Sequence, residues 1–139
     1  MPSPSITEVC DALAGAVDSI SGLRAKGYID DVTNPPEAQV YTRDYDPRMI
    51  FSGAKRTFML GVRVFVKRSD MRSAQKSLHT FMEPSGSTSV TAKIEDEASW
   101  SGASVDYAAV TNVGQPFEYS PDGGNTVYWC VDFDVDVCW

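Results

Sequence analysis

The sequence predicts an α+β domain in which a mainly antiparallel sheet of about four strands carries helices packed on one face. Three observations lead to this prediction. Apolar residues recur at helical spacing near the N-terminus, two long segments alternate apolar and polar residues, and a turn sequence at 121–125 precedes the second of these segments. The 139 residues contain no linker or repeat that would divide them, so we expect one domain spanning 1–139.

The first predicted element is an amphipathic helix over residues 7–23. Ser5 and Glu8 form a capping-box pattern, in which each side chain binds a backbone N–H group at the start of the helix. Gly22 favours an end to the helix. The apolar stripe consists of Ile6, Val9, Leu13, Val17 and Ile20. Residues 38–42, after a Pro-Pro pair, predict a short strand, and residues 43–55 predict a loop or long hairpin tip.

The middle of the chain predicts a strand followed by two helices. Residues 56–67 alternate as a strand does, and the core face consists of Phe58, Leu60, Val62, Val64 and Val66. Ser69 and Asp70 then cap a second helix, whose inward stripe consists of Met71, Ala74, Leu78, Phe81 and Met82. The Pro84-Ser85-Gly86 sequence breaks this helix, and residues 88–97 predict a short third one.

Two final strands, over residues 104–113 and 126–139, are predicted to pair as an antiparallel hairpin. The last strand places large apolar residues on one face, which we assign to the core. Its other face carries Asp132, Asp134 and Asp136. Three like charges in one row require either solvent or a partner, because burying an unpaired carboxylate is costly.

Several interpretations of the aspartate row remain open. A calcium site is unfavourable, because the outer two carboxylates lie about 13 Å apart along a strand whereas calcium ligands lie within about 2.6 Å of the ion. Arg63 and Lys67, on the non-core face of the earlier strand, could neutralise the row across the sheet. The row could also be solvated, or it could line a passage that must not bind DNA.

Composition excludes several classes of function. The net charge is −7, which argues against an extended basic surface for nucleic acid. No apolar run reaches the length of a membrane span, and the N-terminus lacks the pattern of a signal peptide, so we expect synthesis in the cytosol. Three cysteines without a paired spacing predict reduced thiols, with neither a disulfide framework nor a zinc site.

No set of residues in the sequence predicts catalysis. His79 is the single histidine and lies within the second predicted helix, where a surface or half-buried position is the expected role. The sequence has no nucleophile elbow and no phosphate-binding loop, since the glycines at 123–124 belong to a hairpin tip. We therefore predict no enzyme activity, no cofactor and no metal.

The second half of the chain is similar to the small tail terminator proteins of long-tailed bacteriophages. The resemblance lies in a helix ending Leu78-His79-Thr80-Phe81, a break at Pro84-Ser85-Gly86, the segment Ser87-Thr88-Ser89-Val90-Thr91-Ala92-Lys93-Ile94, the segment Trp100-Ser101-Gly102, and a closing hairpin. The N-terminal helix, the strand near Val40 and the Val-rich strand also follow the order of elements in that family. The charged segment 43–55 departs from the family pattern.

The resemblance implies a structural protein of the virion tail and neck. Such proteins form a homo-hexameric ring that caps the head-proximal end of the tail tube and meets the neck or head-completion proteins. The family has no catalytic residues to carry over. We hypothesise a subunit or tube interface consisting of Arg43, Tyr45, Arg48, Met49, Ile50 and Phe51; the alternative is that the apolar members pack beneath their own loop as a small separate cluster. In the same hypothesis, Asp132, Asp134 and Asp136 face a lumen through which DNA passes transiently.

Two alternatives to a terminator remain. The chain could be another head–tail connector, a head-completion protein or a tail tube subunit of the same kind of virion. It could also be a small hydrolase or ligand-binding domain, which predicts a deep polar pocket around His79.

Overall fold

The computed structural model describes residues 5–20, 22–28, 36–43, 57–67, 71–96, 100, 105, 107–120 and 127–138. These residues form three helices and six strands. In chain order the elements are α1 (Ile6–Asp18), β1 (Arg24–Lys26), β2 (Glu37–Thr42), β3 (Thr57–Lys67), α2 (Met71–Met82), α3 (Val90–Glu95), β4 (Tyr107–Val113), β5 (Phe117–Tyr119) and β6 (Tyr128–Cys138).

The described strands form one sheet in the order β1-β2-β3-β6-β4, and β5 also pairs with β6. Every pairing is antiparallel except that of β1 with β2. The predicted α+β class with a mainly antiparallel sheet is therefore confirmed, but the predicted count of about four strands is too low. The two additional strands, β1 and β5, have three residues each, and so few residues show no alternation.

The long strands β3 and β6 form the centre of the sheet. They pair along their full length of 11 residues, from Thr57 opposite Cys138 to Lys67 opposite Tyr128. Their predicted core faces are confirmed, because the alternating apolar side chains of both strands are buried, except that Trp129 of β6 is only partly buried. Phe133 is fully buried at the middle of this face. The opposite faces of β3 and β6 therefore also share one side of the sheet.

Helix α1 begins where the capping pattern predicts but ends five residues earlier than predicted. The Ser5 hydroxyl accepts a hydrogen bond from the Glu8 N–H at 3.1 Å. The helix ends at Asp18, and Gly22 has a φ of 86° in the turn that follows. Ile20 and Leu23 are still buried. Their helical spacing was misleading because the turn itself brings them back to the core.

Buried side chains from all three helices belong to the same cluster as the core faces of the strands, with Leu13 from α1, Leu78 from α2 and Ile94 from α3.

Helix α3 is shorter than the predicted 88–97. Ser89 caps it, accepting from the Ala92 N–H at 3.0 Å, and Asp96 is extended. The predicted cap at Ser69 and Asp70 and the predicted turn at 121–125 lie outside the described residues.

Candidate functional site

The side of the sheet opposite the core carries most of the polar groups that the sequence singles out. We call it the polar face and define it by the side chains that four of the strands direct to this side. It consists of Glu37, Gln39 and Tyr41 from β2, Met59, Gly61, Arg63 and Phe65 from β3, Phe117 and Tyr119 from β5, and Cys130, Asp132, Asp134 and Asp136 from β6.

Arg63 and Asp132 form an ion pair at the centre of the polar face. The two residues are opposite each other in the pairing of β3 with β6. The guanidinium binds both carboxylate oxygens, with Nε 2.7 Å from Oδ1 and Nη2 3.1 Å from Oδ2. The side chains are 29% and 23% exposed, so solvent screens the pair only in part. This confirms the predicted neutralisation by Arg63, and the hydrogen bond to Asp132 raises the pKa of Arg63.

Lys67 does not have the predicted role. It lies opposite Tyr128, two register positions beyond Cys130 and four beyond Asp132, and its side chain is exposed at the end of β3. The alternation of β3 correctly places Lys67 on the same face as Arg63. The prediction was wrong because the shared face does not fix which residues stand opposite each other.

Three aromatic rings surround the Arg63 guanidinium. Its central carbon is 5.3 Å from the ring centre of Tyr41, 5.2 Å from that of Phe117 and 5.5 Å from that of Tyr119. These distances allow cation–π attraction, which is strongest where water is excluded. Strands β2, β3 and β5 therefore meet around one side chain. This arrangement could not be expected from the sequence, because β5 was not predicted.

Tyr41 lies directly over Gly61, the residue opposite it on β3. A β-carbon built on Gly61 would be 2.2 Å from the Tyr41 Cζ. Burial, followed by the Asp132 charge, raises the pKa of the Tyr41 hydroxyl. Gly61 is thus required for a close approach of the ring to the strand. A glycine inside a strand is the sequence signal for such an approach.

Replacing Gly61 by alanine is expected to lower the free energy of unfolding by about 1–3 kcal/mol, because the new methyl group displaces the Tyr41 ring. Chemical denaturation of Gly61→Ala, Tyr41→Ala and the double variant checks this. We expect the double variant to lose less than the sum of the single losses, since the alanine at 61 has no ring to displace. Additive losses would show that the two residues act independently.

Asp134 pairs with Arg43, which follows β2. The Arg43 Nη1 atom contacts Asp134 Oδ1, and the Arg43 backbone N–H donates to the Met59 carbonyl at 2.8 Å. Arg43 was predicted as an interface residue, and the structure places its guanidinium on the polar face, where its side chain remains 37% exposed. The other predicted interface residues, Tyr45, Arg48, Met49, Ile50 and Phe51, lie outside the described residues.

The three carboxylates of the aspartate row therefore differ in their partners. Two of its carboxylates, those of Asp132 and Asp134, bind an arginine. Asp136 lies opposite the uncharged residues Met59 and Ala109, and among the described residues it forms no ion pair. Among the described residues, a surface built from this face would consequently present the Asp136 carboxylate without a basic partner.

A second, smaller hydrophobic cluster lies beside the Arg63–Asp132 pair. Phe65, Tyr128 and Cys130 are buried there, with Phe117 and Tyr119 packed against them. Burial raises the pKa of the Cys130 thiol to about 12, so the thiol is protonated at neutral pH. An adjoining cavity of about 240 Å³ is lined by Gln39, Tyr41, Arg63, Phe65 and Tyr119. Cys10, Cys130 and Cys138 are all free thiols, as predicted.

His79 is exposed on α2, beside a cavity of about 310 Å³. The other lining residues are Gln75, Gln115, Pro116 and Trp129, none of which is a nucleophile or carries a carboxylate. In the part of the chain that the structure describes, no three His, Cys, Asp or Glu side chains are grouped to hold a metal ion. None of the described helices has the length and apolarity of a membrane span.

No protein-family model matches this chain, and no curated protein sequence matches it significantly. Function is therefore inferred from the residues and their geometry.

Three residues of the polar face, Tyr41, Phe117 and Tyr119, were not predicted from the sequence. Of these, Tyr41 could have been found from its place in the predicted strand 38–42, once that strand is paired with β3.

Proposed function

We propose that this protein is a tail terminator of a long-tailed bacteriophage, which forms a ring on the head-proximal end of the tail tube and connects it to the neck. The observation that carries the proposal is the order of the elements. Apart from the additional three-residue strands β1 and β5, the elements occur in the order that the resemblance implies, which is α1, β2, β3, α2, α3, β4 and β6. The proposal includes no catalysis, cofactor or metal.

The partners in this proposal are other copies of the chain, the tail tube protein and a neck or head-completion protein. A plain α+β domain with a structured polar face suits a protein that acts by contact. In the ring, Arg43 and the segment after it contact a neighbouring subunit or the tube. Asp136, the carboxylate of the row without a basic partner among the described residues, faces the lumen, where negative charge keeps passing DNA from adhering.

The mass and shape of the assembled protein test this proposal. We expect native mass spectrometry and negative-stain electron microscopy of the purified protein to show closed rings, as a homo-oligomer with cyclic symmetry forms, of about six copies, the number that the resemblance implies. If free copies associate weakly, rings are expected when tail tubes are added, because a templated contact is stabilised by mass action. Long cylinders from the protein alone would instead identify a tube subunit. A monomer that does not bind to tube ends would contradict the proposal.

A further inference from the structure

Both outer strands of the described sheet have a backbone N–H group that points away from the sheet. In β1, the Arg24 N–H faces inward and donates to the Pro36 carbonyl at 3.3 Å. The next N–H, that of Ala25, therefore points outward, and it donates to Asp18 Oδ1 at 3.0 Å. Asp18 is the last residue of α1. The end of a helix thus satisfies the exposed edge of this strand.

The opposite edge repeats this arrangement. The Val110 N–H of β4 donates to Glu95 Oε2 at 3.1 Å, and Glu95 is the last residue of α3. Ala108 and Val110 point their N–H groups to the same side, because backbone groups alternate along a strand. Open sheet edges invite pairing with another chain, and natural proteins restrict that pairing with charges or covering groups. Each carboxylate here covers one N–H group.

The two edges differ in charge. Strand β1 contains Arg24 and Lys26, of which Lys26 is paired with Glu37 at 3.5 Å. Arg24 is exposed and has no ion pair with any described residue. Strand β4 has seven residues and no charge of its own. The exposed Glu95 carboxylate accepts from its Val110 N–H, and the Asp134 carboxylate accepts from its Asn112 side chain at 3.5 Å. Tyr107 of β4 is 51% exposed. The β1 edge therefore presents Arg24, which has no ion pair among the described residues, beside the Asp18 carboxylate, and the β4 edge presents the Glu95 carboxylate.

A ring of identical subunits requires two different surfaces that fit each other, whereas a surface that meets itself produces a two-fold pair. Each copy carries a net charge of −7, so approaching copies repel one another unless opposite charges face each other locally. The β1 and β4 edges meet both requirements, since they differ from each other and the exposed Arg24 of one can face the exposed Glu95 of the other.

We propose that neighbouring subunits of the ring meet edge to edge, with β4 of one copy against β1 of the next and Glu95 facing Arg24 across the contact. This inference rests on the proposed ring. On contact, the Glu95 carboxylate turns from the Val110 N–H to the guanidinium, and the Val110 N–H becomes available to the incoming β1 backbone. Because β1 has three residues, few backbone hydrogen bonds form, and the charge pair selects the partner and fixes the register.

Charge reversal tests the contact. We expect Arg24→Glu and Glu95→Lys each to raise the protein concentration needed for half-assembly by about tenfold or more, a factor equivalent to about 1.4 kcal/mol. The double variant restores the opposite-charge pair with its signs exchanged, so we expect it to assemble nearly as the unaltered protein does. Lys76→Glu, which reverses an exposed charge on α2, is the matched control and should leave assembly unchanged.

Sedimentation velocity over a concentration series provides the measurement, with tail tubes present if free rings do not form. Thermal melting of each variant shows that its fold is intact. Glu95→Gln provides a second, milder variant, because its amide oxygen can still accept the hydrogen bond from the Val110 N–H. Single variants that assemble normally would overturn the edge contact and leave the terminator proposal standing. Failure of the double variant to recover would do the same. Failure of the unaltered protein to form rings, even on tubes, would overturn the function itself.

Discussion

Replacing Phe133 by alanine is expected to lower the free energy of unfolding by about 3–5 kcal/mol. Phe133 is fully buried on the core face of β6, opposite Val62 of β3 and beside Val113 of β4. Removing the ring therefore leaves a cavity at the centre of the sheet, where three strands limit how far the surroundings can collapse. A domain with a typical stability of about 5–15 kcal/mol would lose a large part of it.

Equilibrium denaturation by urea, monitored by tryptophan fluorescence and circular dichroism, measures this loss. Tyr107→Ala is the matched control, because it also truncates an aromatic residue on a strand but at a side chain that is 51% exposed. We expect it to change the stability of the isolated chain by less than about 0.5 kcal/mol. Equal losses for the two variants would contradict the assignment of the β6 faces.

Replacing Arg63 by alanine is expected to lower the free energy of unfolding by about 2–3 kcal/mol. The substitution removes the bidentate pair of hydrogen bonds to Asp132, the attraction to three aromatic rings and the packing of the aliphatic part of the arginine side chain. It also leaves the partly buried Asp132 carboxylate without its cation, and hydrogen bonds to charged groups contribute about 1.5–3 kcal/mol. Arg63→Lys keeps the charge but loses the fork geometry, so we expect it to retain roughly half of the stabilisation.

A double-mutant cycle of Arg63→Ala with Asp132→Asn isolates the ion pair. We expect a coupling of about 1 kcal/mol or more, since both side chains are less than one-third exposed. Asp134→Asn is the control from the same strand and face. Its partner Arg43 is more exposed, so its loss should stay below about 1 kcal/mol. Additive effects of Arg63→Ala and Asp132→Asn would show that the rings and the stem, rather than the carboxylate, account for the role of Arg63.

The central pair of strands could be predicted from the sequence because each has enough residues for alternation to be visible. The same alternation placed Arg63 and the aspartates on one face, and opposite charges on neighbouring strands then predicted their pairing. Strands β1 and β5 could not be predicted, since three residues contain no measurable period. The early end of α1 was missed because Ile20 and Leu23 are buried by a turn rather than by another helical turn.

The pairing of Arg43 with Asp134 depends on contacts that periodicity does not specify. It requires the register of β2 against β3 and the exit direction of the chain after Thr42. The same is true of the hydrogen bonds from the Ala25 N–H to Asp18 and from the Val110 N–H to Glu95. The first joins residues 7 positions apart and the second joins residues 15 positions apart. Such contacts follow from the fold and not from any local pattern.

The most direct test of the central claim measures whether this protein stops tube growth. Purified tail tube protein that polymerises in vitro is mixed with increasing amounts of this protein, and tube lengths are measured by electron microscopy. We predict that mean tube length falls as the amount added rises, with a ring visible at one end of each shortened tube. Unchanged tube lengths, with no density at either end, would contradict the account.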